Sequence, residues 1–115
     1  SDASFLKEVV KMLLWLNDYE KMNHLIGICD IKVQNLPFIK FMKACALAHL
    51  GSLDEAEEIL MENGGLDIPD IREGENSTSQ VYLFIQQKRA EQKGIPFDPQ
   101  KIQVPFLLDL RMSGD

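Results

Sequence analysis

Two histidines, two cysteines and a run of carboxylates are the groups in this 115-residue chain whose types could do chemistry. His24 and His49 form no HxxxH or HExxH pair, so the imidazoles lack the spacing of a helical zinc site. Cys45 and His49 stand four residues apart, which on a helix sets a thiol beside an imidazole. A reactive thiolate needs a nearby positive charge or an activating base held by a third group. The apolar wall around Cys45 raises its pKa instead, so packing is the better account of the pair. Cys29 and Cys45 are too few for a disulfide framework and read as reduced, buried thiols. Glu57 and Glu58 fall on a solvated helix face, where neither acquires the raised pKa of a general acid. Gly64-Gly65 is a helix stop and not a phosphate loop, because no Lys-Ser or Lys-Thr follows it. In Asn76-Ser77-Thr78 the helix-capping role of Ser77 suffices without glycosylation. The expectation is a non-catalytic chain with no cofactor and no metal.

Charge narrows the partners. The net charge is −6, and Asp54, Glu55, Glu57, Glu58, Glu62, Asp67, Asp70, Glu73 and Glu75 cluster with only Arg72 opposing them. That argues against nucleic acid, whose phosphates are met by clustered Lys and Arg. A solvated acidic face, or a docking surface for a basic partner, accounts for the cluster. Within it, Arg72 can bond several acceptors at once through its planar fork, with Asp70, Glu73 and Glu75 as local partners. Asp70, Arg72 and Glu73 are therefore expected to organise the 66–76 loop. No apolar run approaches the ~20 residues of a membrane span, and the start at Ser1 shows no basic signal-peptide region. A cytoplasmic chain, and a fragment of a longer one, is expected.

The elements that must carry these residues are announced by a repeat. The composition, 45% hydrophobic and 26% charged, is that of a globular domain. At an offset of 34, Leu16-Asn17-Asp18-Tyr19-Glu20 aligns with Leu50-Gly51-Ser52-Leu53-Asp54. The same offset matches Leu13 with Leu47, Leu25 with Ile59 and Ile26 with Leu60, and sets Val10 on Ala44 and Met22 on Ala56. Thirty-four residues is the tetratricopeptide period of helix, turn and helix. Ala44, Gly51, Ala56 and Leu60 fall where close antiparallel packing wants small, turn, small and large residues.

Local signals agree with that period. The apolar stripe over Ser4–Leu16 is helical; Asn17 with Glu20, and Ser52 with Glu55, read as capping boxes. Pro37 opens a helix that Gly51 ends. Further helices are expected over about 53–63 and 77–93, the last stopped by Gly94 and Pro96. The predicted fold is all-α: five helices in antiparallel hairpins, with repeats over about 3–36 and 37–70. Ile95, Phe97, Ile102, Val104, Phe106, Leu107, Leu108 and Leu110 make the tail apolar. The 95–112 segment is thus expected to cap the stack by burying those side chains.

Residues 64–77, with Pro69-Asp70-Ile71-Arg72-Glu73-Gly74-Glu75 as the most specific piece, then Gly94-Ile95-Pro96-Phe97, Val104-Pro105 and Leu108-Asp109-Leu110-Arg111-Met112, form a recognisable pattern. It resembles the C-terminus of large bacterial proteins that join a domain of unknown function, of carbohydrate-related β-sandwich type, to a tetratricopeptide array. The resemblance spans roughly residues 40–112, with Val81-Tyr82-Leu83-Phe84 standing where a Trp-Phe pair is expected. It implies a position at the end of a helical array and supplies no catalytic residue.

Two functions follow as expectations. One is a helical-repeat module that engages a partner protein, or upstream repeats of the same chain, through its groove. The other is an accessory C-terminal domain of a carbohydrate-processing enzyme. The repeat alignment puts Lys7, Lys11, Leu14 and Trp15 of the first helix, and Phe41, Cys45, Ala48 and His49 of the third, on groove-facing positions. Trp15 reads either as a groove anchor or as a core residue filling the gap beside the first hairpin.

Overall fold

The computed structural model describes residues 3–66 and 78–104. Within them the chain is all-helical, with no strand. Six α-helices follow in order: α1 (Ala3–Trp15), α2 (Tyr19–Gly27), α3 (Ile31–Gln34), α4 (Pro37–His49), α5 (Leu53–Leu60) and α6 (Thr78–Lys93). Single 3₁₀ turns occupy Glu62–Gly64 and Pro99–Lys101.

The 34-residue offset in the sequence is an offset in the backbone too. α1 and α4 both run thirteen residues, with starts, ends and following turns in the same register. After α1, the amides of Asn17 and Asp18 donate to the carbonyls of Leu14 and Leu13 at 3.0 and 2.8 Å. After α4, those of Gly51 and Ser52 donate to Ala48 and Leu47 at 3.3 and 2.9 Å. Both turns need a left-handed residue to satisfy the last carbonyls; it is Asn17 at φ +58° and Gly51 at φ +95°. Asn17 is consequently not the cap of α2, as the capping-box reading has it. Asp18 is, its side chain accepting from the Lys21 amide at 3.3 Å. Ser52 precedes α5 without a side-chain capping bond. α6 ends on the same device, with Gly94 at φ +69° and the Ile95 amide donating to Ala90.

α4 is the central element and packs against α1, α2, α3, α5 and α6. Its Ile39, Phe41, Met42, Ala44, Cys45, Ala46, Leu47 and Ala48 are all buried. The four alanines of α4 and α5 (Ala44, Ala46, Ala48 and Ala56) leave room for Val10, Met22, Ile26, Leu60 and Ile85 to fill the spaces between helices. The sixth helix, α3, lies outside the five expected. Asp30 caps it by accepting from the Lys32 amide, and its Val33 reaches the core. α5 stops at Leu60, short of the expected 63, because Asn63 turns left-handed at φ +55°. The tail is only partly packed as far as it is described. Phe97, Ile102 and Val104 are half-buried and Ile95 is 54% exposed. The expected cap over 105–112, the Ser77 cap, and the loop residues Asp70, Arg72 and Glu73 lie outside the described residues.

Candidate functional site

α1, α4, α6 and the 97–99 segment enclose an open cleft of about 730 Å³. α1 supplies Lys11, Leu14 and Trp15; α4 supplies Cys45 and His49; α6 supplies Gln80, Val81, Leu83, Phe84 and Gln87. Asn17, Tyr19, Phe97 and Pro99 complete the lining. This volume lies in the range of sites that bind drug-sized ligands or short peptide segments.

The wall of the cleft is a three-ring stack. His49 lies 4.0 Å from Tyr19, their planes 7° apart, and 4.2 Å from Phe84 at 24°. Rings from α2, α4 and α6 are thereby joined in one column, each contributing dispersion and desolvation. His49 Nδ1 stands 2.9 Å from the Cys45 carbonyl oxygen. A carbonyl only accepts, so Nδ1 carries the proton and Nε2 is left as an acceptor when the ring is neutral. The Tyr19 hydroxyl donates to Asn17 Oδ1 at 3.0 Å, and burial, with Cys45 adding, raises its pKa.

The Cys45–His49 pair therefore meets through the backbone carbonyl and not through the thiol. Burial pushes the Cys45 thiol up to about 12, so the sulfur stays protonated at neutral pH. Cys29, half-buried, directs its thiol to the Leu25 carbonyl at 3.2 Å. Among the described residues, no three His, Cys, Asp or Glu side chains stand close enough to share a metal ion.

Polarity within the cleft is one-sided. Among the described residues lining it, Lys11 is the only formally charged one, and Asn17, Gln80 and Gln87 offer amides that both donate and accept. Lys88 stands at the rim with its Nζ 5.4 Å from the Phe84 centroid and 3.5 Å from Glu91 Oε1. The acids of α5 are held elsewhere: Glu57 and Asp54 bond Arg89, the latter at 2.6 Å, and Glu57 accepts from Gln86 at 2.9 Å.

Of the eight residues expected to face a groove, Lys11, Leu14, Trp15, Cys45 and His49 line the cleft. Trp15 is 82% exposed, which overturns its reading as a core residue. Lys7 stands beside the cleft with its Nζ 5.0 Å from the Phe38 centroid, and Lys11 shares that ring at 5.8 Å. Phe41 is in the core, 1% exposed, and so is Ala48. The correction is geometric. At about 100° per residue, positions 38, 45 and 49 fall on one line of α4, whereas 41 and 48 are turned some 60–80° away. Phe84, Gln80, Gln87 and Phe97 went unforeseen because the segment between α5 and α6 is longer than the 34-residue register allows. The turn after α6, with Gly94 where Asn17 and Gly51 stand, is the signal that could have aligned it.

No protein-family model, no curated protein and no solved structure matches this chain.

Proposed function

We propose that this chain is a non-catalytic helical module of tetratricopeptide type that binds an extended segment of a partner protein in the α1/α4/α6 cleft. The supporting observation is the cleft itself. α1 and α4, whose bounds recur at 34 residues, line one surface together with α6, and a continuous groove of stacked repeats is lined in that way. That surface carries an exposed indole, a ring column and side-chain amides, and a peptide backbone can pair with the amides of Asn17 and Gln87 while its apolar side chains lie on Trp15 and Phe84. The recurrence of helix bounds and turn hydrogen bonds at 34 residues supports the repeat type.

The test is a fluorescence-polarisation screen of labelled extended peptides, with Trp15→Ala and His49→Ala run beside the parent chain. Peptides that bind the parent and lose at least tenfold in affinity with both folded variants are expected. Peptide binding that both variants retain, or no binding across the library, would refute the assignment.

A further inference from the structure

α1 carries two apolar sectors. Leu6, Val10 and Leu13 face the core. Phe5, Val9 and Met12, continued by Leu16 in the turn just after the helix, where its amide still donates to the Met12 carbonyl at 3.0 Å, fall in an adjoining sector about 60° wide at 100° per residue. In that second sector Phe5 is 70%, Met12 54% and Leu16 56% exposed, and Val9 is half-buried. Three turns that leave Phe5, Met12 and Leu16 in water, with Val9 half-covered between them, are not what a solvated helix face carries, since an amphipathic helix has one such stripe.

The spacing of the stripe is its own mirror image. Steps of four, three and four residues separate Phe5, Val9, Met12 and Leu16, so an antiparallel copy brings Phe5 opposite Leu16 and Val9 opposite Met12. A two-fold contact demands such self-complementarity: whatever residue i meets in residue j, j meets in i. Glu8 borders the stripe on one flank, its carboxylate 3.5 Å from Lys11 Nζ of the same copy. The stripe with Glu8 and the edge of Trp15 offers on the order of 600 Å² per copy, which puts a pair at the lower bound of stable interfaces.

We infer that the Phe5/Val9/Met12/Leu16 face of α1 is a homodimerisation surface, on which a second copy of this chain docks antiparallel. Met12→Glu places two carboxylates, one from each copy, in the apolar centre of that contact. Sedimentation velocity on the 115-residue chain should show twice the chain mass at about 100 µM and above, falling to the single mass on dilution, as a small interface dictates. Met12→Glu and Leu16→Lys should each weaken association at least a hundredfold while leaving the helical circular dichroism unchanged. Register is read by cysteine crosslinking in a Cys29→Ser background. Under oxidation Phe5→Cys mixed with Leu16→Cys should give a covalent dimer, and Phe5→Cys alone should not. A chain that is monomeric throughout the concentration range overturns the proposal and leaves the face to another segment or protein. A dimer that both folded variants retain, or one crosslinked by Phe5→Cys alone, also overturns it.

Discussion

Replacing Trp15 with alanine separates two roles that a large aromatic on a helix can play, and the structure gives the size of each. An indole side chain enclosed in a core contributes enough that its truncation costs about 3–5 kcal/mol. Trp15 is 82% exposed, so less than a fifth of its surface is removed from water. For a side chain of roughly 250 Å² that is about 50 Å² of burial, or about 1 kcal/mol at 25 cal/mol per Å². The extended-chain reference makes this an upper bound. Alanine is also the better helix former, by up to about 0.5 kcal/mol. The net expectation for Trp15→Ala is therefore a loss of about 0–1 kcal/mol, a shift in melting temperature of no more than about 4–5 °C for a domain of this length. Urea unfolding followed by far-ultraviolet circular dichroism measures it, since the probe does not depend on the indole that has been removed. In the parent chain, acrylamide should quench the tryptophan emission freely. A stability loss above about 3 kcal/mol, with an unchanged unfolding slope, would show that the indole is enclosed and that the cleft is not as described.

Phe41→Ala is the converse: with 1% of the residue exposed at the centre of α4, it should cost about 3–5 kcal/mol by the same urea assay. Cys45 predicts an alkaline loss of stability. Its thiol is raised from 9.0 to about 12 by burial, so between those pH values the folded chain keeps a proton that the unfolded chain has released. The contribution is intact below about pH 9 and declines as pH rises, by at most about 1.4 kcal/mol per unit; the fall in urea midpoint between about pH 8 and pH 10.5 should therefore be smaller for Cys45→Ala than for the parent chain. Arg89→Ala should lose about 1–2 kcal/mol by removing the α5–α6 tie to Glu57, and Asp54→Asn almost nothing, because the Asp54 side chain is 96% exposed. Gly51→Ala should lose about 1–2 kcal/mol in thermal unfolding. The cost is backbone strain at φ +95° alone, since no atom lies within 4 Å of the added carbon.

What the sequence determined by itself is the helical unit and its period. Leu13 and Leu16 recur as Leu47 and Leu50, and Gly51 ends α4 as a glycine stop does, whereas the left-handed turn at Asn17, which reads in the sequence as a helix cap, came from the structure. Pro37 sets the start of α4, and Ala44 and Ala56 mark where helices come close. These are local properties, written in side-chain size, backbone freedom and spacing, and they require no knowledge of neighbours. Only the tertiary structure decided which apolar residue serves which surface. On α1, Leu6, Val10 and Leu13 satisfy a helical repeat as well as Phe5, Val9, Met12 and Leu16 do, and periodicity cannot rank them; the position of α2 and α4 buries the first set. On α4, Phe38 and Phe41 sit less than one turn apart, yet one reaches the lysines of α1 and the other the core. The ring column depends on Phe84 of a helix that the 34-residue register does not reach. Periodicity constrains a helix to have faces, and the docking of the other helices determines which of them meets water.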